Sequence, residues 1–435
     1  MKEILPVSAS NSAGELMVGG VSASEIVERF GTPVIVFDRA TFEARARMYA
    51  DALDPSHVYY AGKSFCCVAA CELLRDLGLS LDVCTGGELA TALAAGFPAE
   101  RILFHGNNKA EWELTAASDV GVGRIVVDSF DEIERLGRCG IATKLLVRVT
   151  PGVEAHTHEF VQTGQEDSKF GFSLHDGVAL EAIRRATKID GCDVVGLHAH
   201  IGSQIFEVAA FELAIERLAG LAQEAHQQHA FAVRELNVGG GLGIAHTRDE
   251  LTPDPAEAVA RVRAAVEKSF SSRNLDIPEL YVEPGRSIVG PAAVTLYRVG
   301  TVKKIPGVRT YVSVDGGMSD NIRPALYGAR YEAFLANRMD APEGPRVTVA
   351  GKHCESGDVL IKDVHLPDDT APGDLLCIPA TGAYTYVMAS NYNRVPRPPV
   401  VMVDHGTATV IVERESTEDL LRLDRRVDGS ALSSS

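Results

Sequence analysis

The chain has no run of about 18 consecutive apolar residues, which excludes a membrane-spanning helix. Its first residues, Met1-Lys2-Glu3-Ile4-Leu5-Pro6, carry no apolar stretch of secretory length. Positive charge is scarce: 42 Lys and Arg stand against 59 Asp and Glu, for a formal net charge of −17. The only basic pairs, such as Lys303-Lys304 and Arg425-Arg426, are too short to form a patch. A nucleic-acid backbone or an anionic membrane would be repelled. Cysteine pairing is missing too. The eight cysteines, at 66, 67, 71, 84, 139, 192, 354 and 377, show no CxxC spacing and read as reduced thiols, most filling core and one or two reactive. These absences lead to the expectation of a soluble, cytoplasmic protein without membrane or nucleic-acid partners.

What is present is globular. Of 435 residues, 46% are hydrophobic and 23% charged, enough for a large core and two or three domains. From about 57 to 290, short β-branched or apolar runs alternate with longer Ala/Glu/Leu/Arg-rich segments of helical spacing. Strands are expected at His57–Ala61, Leu79–Cys84, Arg101–His105, Arg124–Asp128, Lys144–Val149, Asp193–His198, Glu235–Val238 and Glu279–Glu283. Helices are expected at Val68–Leu77, Gly87–Ala95, Phe130–Arg138, Gly177–Thr187, Ala209–His229 and Pro255–Phe270, among others. Eight strands in about 250 residues suit a closed (β/α)8 barrel of the TIM type better than an open doubly wound sheet. After 291 the texture turns to strands at Ala293–Ile305, Thr310–Asp315, Arg346–Ala350, Leu375–Pro379 and Val400–Glu413, with one short helix near Gly328–Asn337. The expected division is a barrel over 39–291, an all-β domain over 292–415 that takes in residues 1–38 through a Pro33–Asp38 strand, and a flexible tail over 416–435.

Barrel chemistry sits just past the strands' C-terminal ends, where this chain places Lys63, Asp82, His105, Asp128, Arg148, His198, His200, Gly239–Gly241, Glu283 and Arg286. Gly62-Lys63-Ser64 ends like a phosphate loop, but His57 stands where that loop needs glycine. Lys63 then reads either as a salt-bridge partner or as an amine nucleophile for carbonyls. Gly239-Gly240-Gly241-Leu242-Gly243 breaks the dinucleotide spacing at Ile244; it suits a phosphate better than a bare tight turn. His198-Ala199-His200, with His156-Thr157-His158, could ligate a metal, or His200 could lie against an aromatic cofactor ring with Ser203 donating to a phosphate. Glu283-Pro284-Gly285-Arg286 reads as an ion pair at the rim, or as a carboxylate facing a pyridine nitrogen beside an arginine that clamps a carboxylate. Cys354-Glu355 and Gly382-Ala383-Tyr384 lie in polar glycine-flanked loops that are either turns or part of a site.

Together these motifs resemble the fold-type III pyridoxal-phosphate decarboxylases, and most closely their diaminopimelate branch, over nearly the whole chain. Further matches are Ser168-Lys169-Phe170-Gly171-Phe172, His158-Glu159-Phe160, Asp320 to Tyr327 and Gly382 to Asn393. The resemblance implies decarboxylation of meso-2,6-diaminopimelate to L-lysine and CO2, with pyridoxal 5'-phosphate as cofactor and no metal. It implies that Lys63 holds the cofactor, that His200 stacks on its ring, and that Glu283 faces the ring nitrogen. Asp82, Ser203, Gly240, Gly241, Gly285, Arg286 and Tyr384 would surround the cofactor. Arg286, Arg323, Tyr327, Glu355 and Tyr384 would bind substrate, and Cys354 would be a catalytic thiol supplied across a homodimer interface. Relatives that make simple diamines have no distal carboxylate to bind and would be expected to lack the Arg323/Glu355 pair. The departures are Gly62 for a longer side chain, Ser64-Phe65 for alanine-asparagine, and Cys84 to Glu88, where serine is commoner.

Overall fold

The computed structural model describes residues 3–153 and 168–431. The chain forms two compact units, one of residues 44–244 and 252–288, the other of 1–43, 245–251 and 289–435.

In the first unit eight parallel strands run in sequence order around a barrel: β1 (Tyr59–Ala61), β2 (Ser80–Val83), β3 (Ile102–Phe104), β4 (Arg124–Val127), β5 (Lys144–Thr150), β6 (Asp193–His198), β7 (Glu235–Asn237) and β8 (Glu279–Tyr281). Closure is by a parallel bridge between Val58 and Val282, with the Tyr59 N–H donating to Val282 O at 2.9 Å and the Val282 N–H to His57 O at 3.1 Å. Each expected strand is present: Asp193–His198 keeps its expected bounds, Lys144–Thr150 runs one residue further, and the other six are trimmed by a residue or two at their ends. The expected helices are present too, with Phe130–Arg138 and Ala209–His229 beginning and ending where the sequence pattern does. A further helix, Glu111–Val120, fills the connection between β3 and β4. Side chains fill the barrel: Tyr59, Leu103, Val126, Leu146, Val195 and Tyr281 form one apolar cluster, which is removed from water and stabilises closure by the area it buries. Arg124 binds Glu235 through both Nε and Nη2, at 2.5 and 2.7 Å, and Nη1 reaches Tyr59 Oη at 2.8 Å. These groups lie at the N-terminal ends of the strands, away from the rim where chemistry is expected.

The second unit is β-rich. Its long strand Ala293–Ile305 pairs through its first half with Val34–Asp38 and Leu375–Pro379, and through its second half with Arg309–Val314. Val34–Asp38 is buried at every residue and lies between Ala293–Ile305 and Val400–Asp404, so the N-terminal segment is a central strand of the C-terminal sheet. Two expectations are corrected. The short helix is Arg323–Tyr327, whereas Phe334–Leu335 within the expected helical stretch pairs with Leu376-Cys377 as a strand. The polar loop at 351–358 is followed by a strand, Val359–His365, that the sequence reading left out. Ser416 caps a one-turn helix, Thr417–Leu421, at the start of the C-terminal segment.

Candidate active site

The barrel rim gathers most of the predicted groups. β1 ends at Ala61 and the chain turns at once through Gly62–Ser64. The Ser64 hydroxyl donates to Ala61 O at 2.7 Å, and Tyr60 Oη to Phe65 O at 2.8 Å. A Cβ on Gly62 would lie 2.8 Å from Asp82 O. The departure at Gly62 therefore has a local reason, since it lets this tight turn seat against β2. The turn presents Lys63, whose Nζ is 3.9 Å from Asp82 Oδ2. Asp82 is fully buried. Burial lifts its carboxyl to about 6 against the opposing pull of His105 and Lys63. Burial also raises the Cys84 thiol, and the Asp82 charge raises it further.

Glu283, past β8, forms no ion pair with Arg286, and the simple rim-pair reading falls. Its Oε1 lies 2.8 Å from His105 Nε2 and accepts from Asn237 Nδ2 at 2.8 Å, while His198 Nε2 is 3.3 Å from Oε2. Burial opposes the charge, but the electrostatic pull of His105 and His198, helped by their hydrogen bonds, outweighs it and holds the carboxyl well below the usual range. His105 and His198 are themselves lowered by burial. The ligand atoms of His105, His198 and Glu283 lie within 4.8 Å of one another, the one cluster among the described residues with metal-like geometry. Their hydrogen bonds to a single carboxylate account for that closeness. Sequence reasoning singled out both histidines but missed Asn237, whose only signal was a polar residue ending a strand ahead of the glycine loop.

Arg286 reaches instead to Ser203, with Nη2 3.0 Å from Oγ. In the glycine loop, the Gly240 N–H donates to His200 Nδ1 at 3.2 Å, so that nitrogen carries no proton and the ring's orientation is fixed. Burial, then the charges of Lys63 and Arg148, hold His200 well below its ordinary value and neutral. The glycines are needed for close approach: a Cβ on Gly240 would fall 1.9 Å from Glu283 O, and one on Gly241 (φ +115°) 2.2 Å from Gly202 O. Gly285 is also closely packed, though less so, with Ala61 Cβ and Ser64 Oγ 2.9 Å from its own missing Cβ. Arg148 pairs with Asp128 at 3.1 Å and its guanidinium lies 4.3 Å from the Phe170 ring centroid. His156, His158 and Glu159 lie outside the described residues.

The remaining candidates belong to the β-rich unit. Arg323 and Tyr327 stand one turn apart on helix Arg323–Tyr327, started by Pro324 and ended by Gly328 in left-handed conformation. Arg323 is 5% exposed, and its Nη1 lies 3.1 Å from His246 Nε2 and bonds Tyr331 Oη. Cys354 and Glu355 are exposed in the loop between Arg346–Ala350 and Val359–His365. The loop is pinned from below, with Asp358 accepting from the His353 and Met318 amides at 2.8 and 2.7 Å, and with the Cys354 amide donating to Asn393 Oδ1 at 3.0 Å. Glu355 accepts from the Gly357 amide and the Ser356 hydroxyl, which lowers its carboxyl. Tyr384 sits at φ +58°, a left-handed conformation that costs a bulky residue about 1–3 kcal/mol.

An amine past β1, a neutral imidazole past β6, a hydroxyl and arginine about a glycine turn, and a carboxylate held ionised past β8 suit a phosphorylated pyridine aldehyde. The family model described as pyridoxal-dependent decarboxylase, pyridoxal binding domain, matches residues 39–290, and fold and site together define a decarboxylase that uses pyridoxal phosphate. The chain is 49% identical to the diaminopimelate decarboxylase of Bacillus subtilis, over 96% of this chain and 97% of that one, and 48% identical to that of Mycobacterium tuberculosis, over 96% of each. The crystal structure of the M. jannaschii diaminopimelate decarboxylase in complex with L-lysine superimposes with a TM-score of 0.89 at 31% identity, over 97% of this chain and 98% of that one. The chain belongs to the diaminopimelate decarboxylase family.

Proposed function

We propose that this enzyme removes the carboxyl group from the D-centre of meso-2,6-diaminopimelate to release CO2 and L-lysine, the last step of bacterial lysine synthesis. The observation that carries the reading is the buried Arg323 guanidinium, held by His246 and Tyr331 in the unit that also bears Glu355. A buried fork of this kind matches a second carboxylate on the substrate, and a substrate without one would leave it unsatisfied.

In this reading Lys63 would hold the cofactor covalently through its amine, and His200 would pack against its ring. Ser203, Gly240, Gly241 and Gly285 would take the phosphate, Arg286 and Tyr384 would also bind the cofactor, and Asp82 sets the charge next to Lys63. When bound, pyridoxal phosphate supplies the electron sink for the pair left behind as CO2 departs. Glu283, ionised and hydrogen-bonded on three sides, keeps a proton on the facing ring nitrogen. Arg286, Arg323, Tyr327, Glu355 and Tyr384 bind substrate. Cys354 delivers a proton to the former α-carbon. Its exposure supports a homodimer in which a second copy of the chain completes each site. Among the described residues no helix is long and apolar enough to cross a membrane, and none of the eight cysteines is paired, which supports work in the reducing cytoplasm.

The test is to incubate cofactor-loaded enzyme separately with meso- and LL-diaminopimelate, lysine, ornithine and arginine, measuring CO2 and identifying the amine. CO2 and L-lysine from the meso isomer alone are expected. Turnover of lysine or ornithine in its place would move the activity to diamine formation.

A further inference from the structure

Glu283 is served by three strand ends at once: His105 follows β3, His198 ends β6 and Asn237 ends β7. Oε1 takes the two short bonds, each 2.8 Å, and His198 Nε2 straddles the carboxylate, 3.2 Å from Oε1 and 3.3 Å from Oε2, which leaves Oε2 with lone-pair capacity to spare. Among the described residues the charged and titratable groups facing His105 are few. Besides Glu283 they are Asp82, with Oδ1 3.9 Å from Nε2, and His198, whose ring meets that of His105 edge-on at 4.7 Å between centroids and 66°.

The geometry points to His105 as a positioning residue that works as a neutral imidazole protonated at Nε2, donating to Glu283 so that the carboxylate stays fixed and fully negative opposite the cofactor's ring nitrogen. This rests on the reading of Glu283 given above. A donor at Nε2 needs its proton there, and a neutral ring then has a bare Nδ1. A doubly protonated ring would place a positive charge on the dry barrel floor and cancel the charge of Glu283, weakening its hold on a ring-nitrogen proton. Burial lowers both histidines, in keeping with the neutral form. Among the three donors, His105 alone also stands beside Asp82, so it separates the carboxylate near Lys63 from the one at the far end of the ring. Removing it would strip a short bond from Glu283 and bring the two carboxylates into a common void.

The experiment loads wild type, His105→Gln, His105→Leu and Glu283→Gln with cofactor labelled with nitrogen-15 in the ring, and reads the nitrogen signal by NMR alongside steady-state kinetics. Wild type should show a protonated ring nitrogen, which His105→Gln, whose amide can donate near the same place, should retain. His105→Leu should move the signal toward the unprotonated form and lower kcat about ten- to a hundredfold, the scale of one hydrogen bond to a charged group, with KM little changed. If His105→Leu does not fold, the tautomer in wild type decides: the Nε2–H form supports the inference and an imidazolium at pH 7 overturns it. A wild-type ring-nitrogen signal in His105→Leu overturns it as well. An unchanged signal in Glu283→Gln would overturn the reading of Glu283 itself, whereas a changed one there with none in His105→Leu would sink the role of His105 alone.

Discussion

Asp82 lies wholly out of water, and its carboxyl is lifted to about 6, mainly by burial, from about 4 in an unfolded chain. Between about pH 4 and pH 6 the folded chain keeps a proton on Asp82 that the unfolded chain has released, so this group's contribution to stability falls as pH rises through that window and levels off above it. The total is about 3 kcal/mol. Asp82→Asn should remove the slope, and the difference in denaturation free energy between wild type and variant, followed from pH 4 to pH 7, checks it; parallel curves would refute it. Cys354 makes a different kind of prediction, because it is exposed and pins its loop through its backbone amide, which an alanine keeps. Cys354→Ala should leave stability unchanged and lower kcat about a hundredfold, the scale of a lost general acid. Measured kcat and unfolding midpoints would separate the two effects. At this scale the sequence was informative about reactive groups and silent about their partners. Lys63, Glu283 and His198 follow apolar runs and announce themselves, whereas Asn237 and the Tyr331 and His246 supports of Arg323 become visible only once distant segments meet.

The loops after the barrel strands behave as a packed set, and glycine is what lets them pack. Gly240→Ala would push a methyl into Glu283 O, and the overpacking should cost about 1–3 kcal/mol and weaken cofactor binding. Gly220, inside helix Ala209–His229 with open space around it, is the control: Gly220→Ala should stabilise by about 0.5–1 kcal/mol. Urea denaturation and cofactor titration of both variants would show it, and equal effects would count against loop packing as the cause. The barrel strands were legible because each is a short apolar run closed by a polar residue. The strand Val359–His365 was not, since Asp363 sits at φ +52° and the register shifts against Arg346–Ala350, which breaks the alternation a sequence reader looks for. Helix Arg323–Tyr327 carries its own boundary signals, with Pro324 at its first turn and Gly328 just past its end. Helix Glu111–Val120 begins at Ala110, without a side-chain oxygen to cap it, so its start carries little sequence signal.

For the whole molecule, the shared-site reading can be tested by mixing subunits. Lys63→Ala and Cys354→Ala chains, each nearly inactive, should regain up to about a quarter of wild-type activity when dissociated and reassembled in equal amounts, because half the dimers are then mixed and each mixed dimer has one intact site. No recovery would mean that each site is built within a single chain. The position of Val34–Asp38 has a consequence for synthesis. This strand, buried at every residue, is made early, yet one of its two neighbours, Val400–Asp404, emerges roughly 360 residues later. At ordinary translation rates that leaves an edge of four apolar residues and Asp38 without this partner for about 20 to 70 s. Chains ending before Val400 should therefore collect in the insoluble fraction, and the nascent enzyme should lean on holdase chaperones until its last strands leave the ribosome.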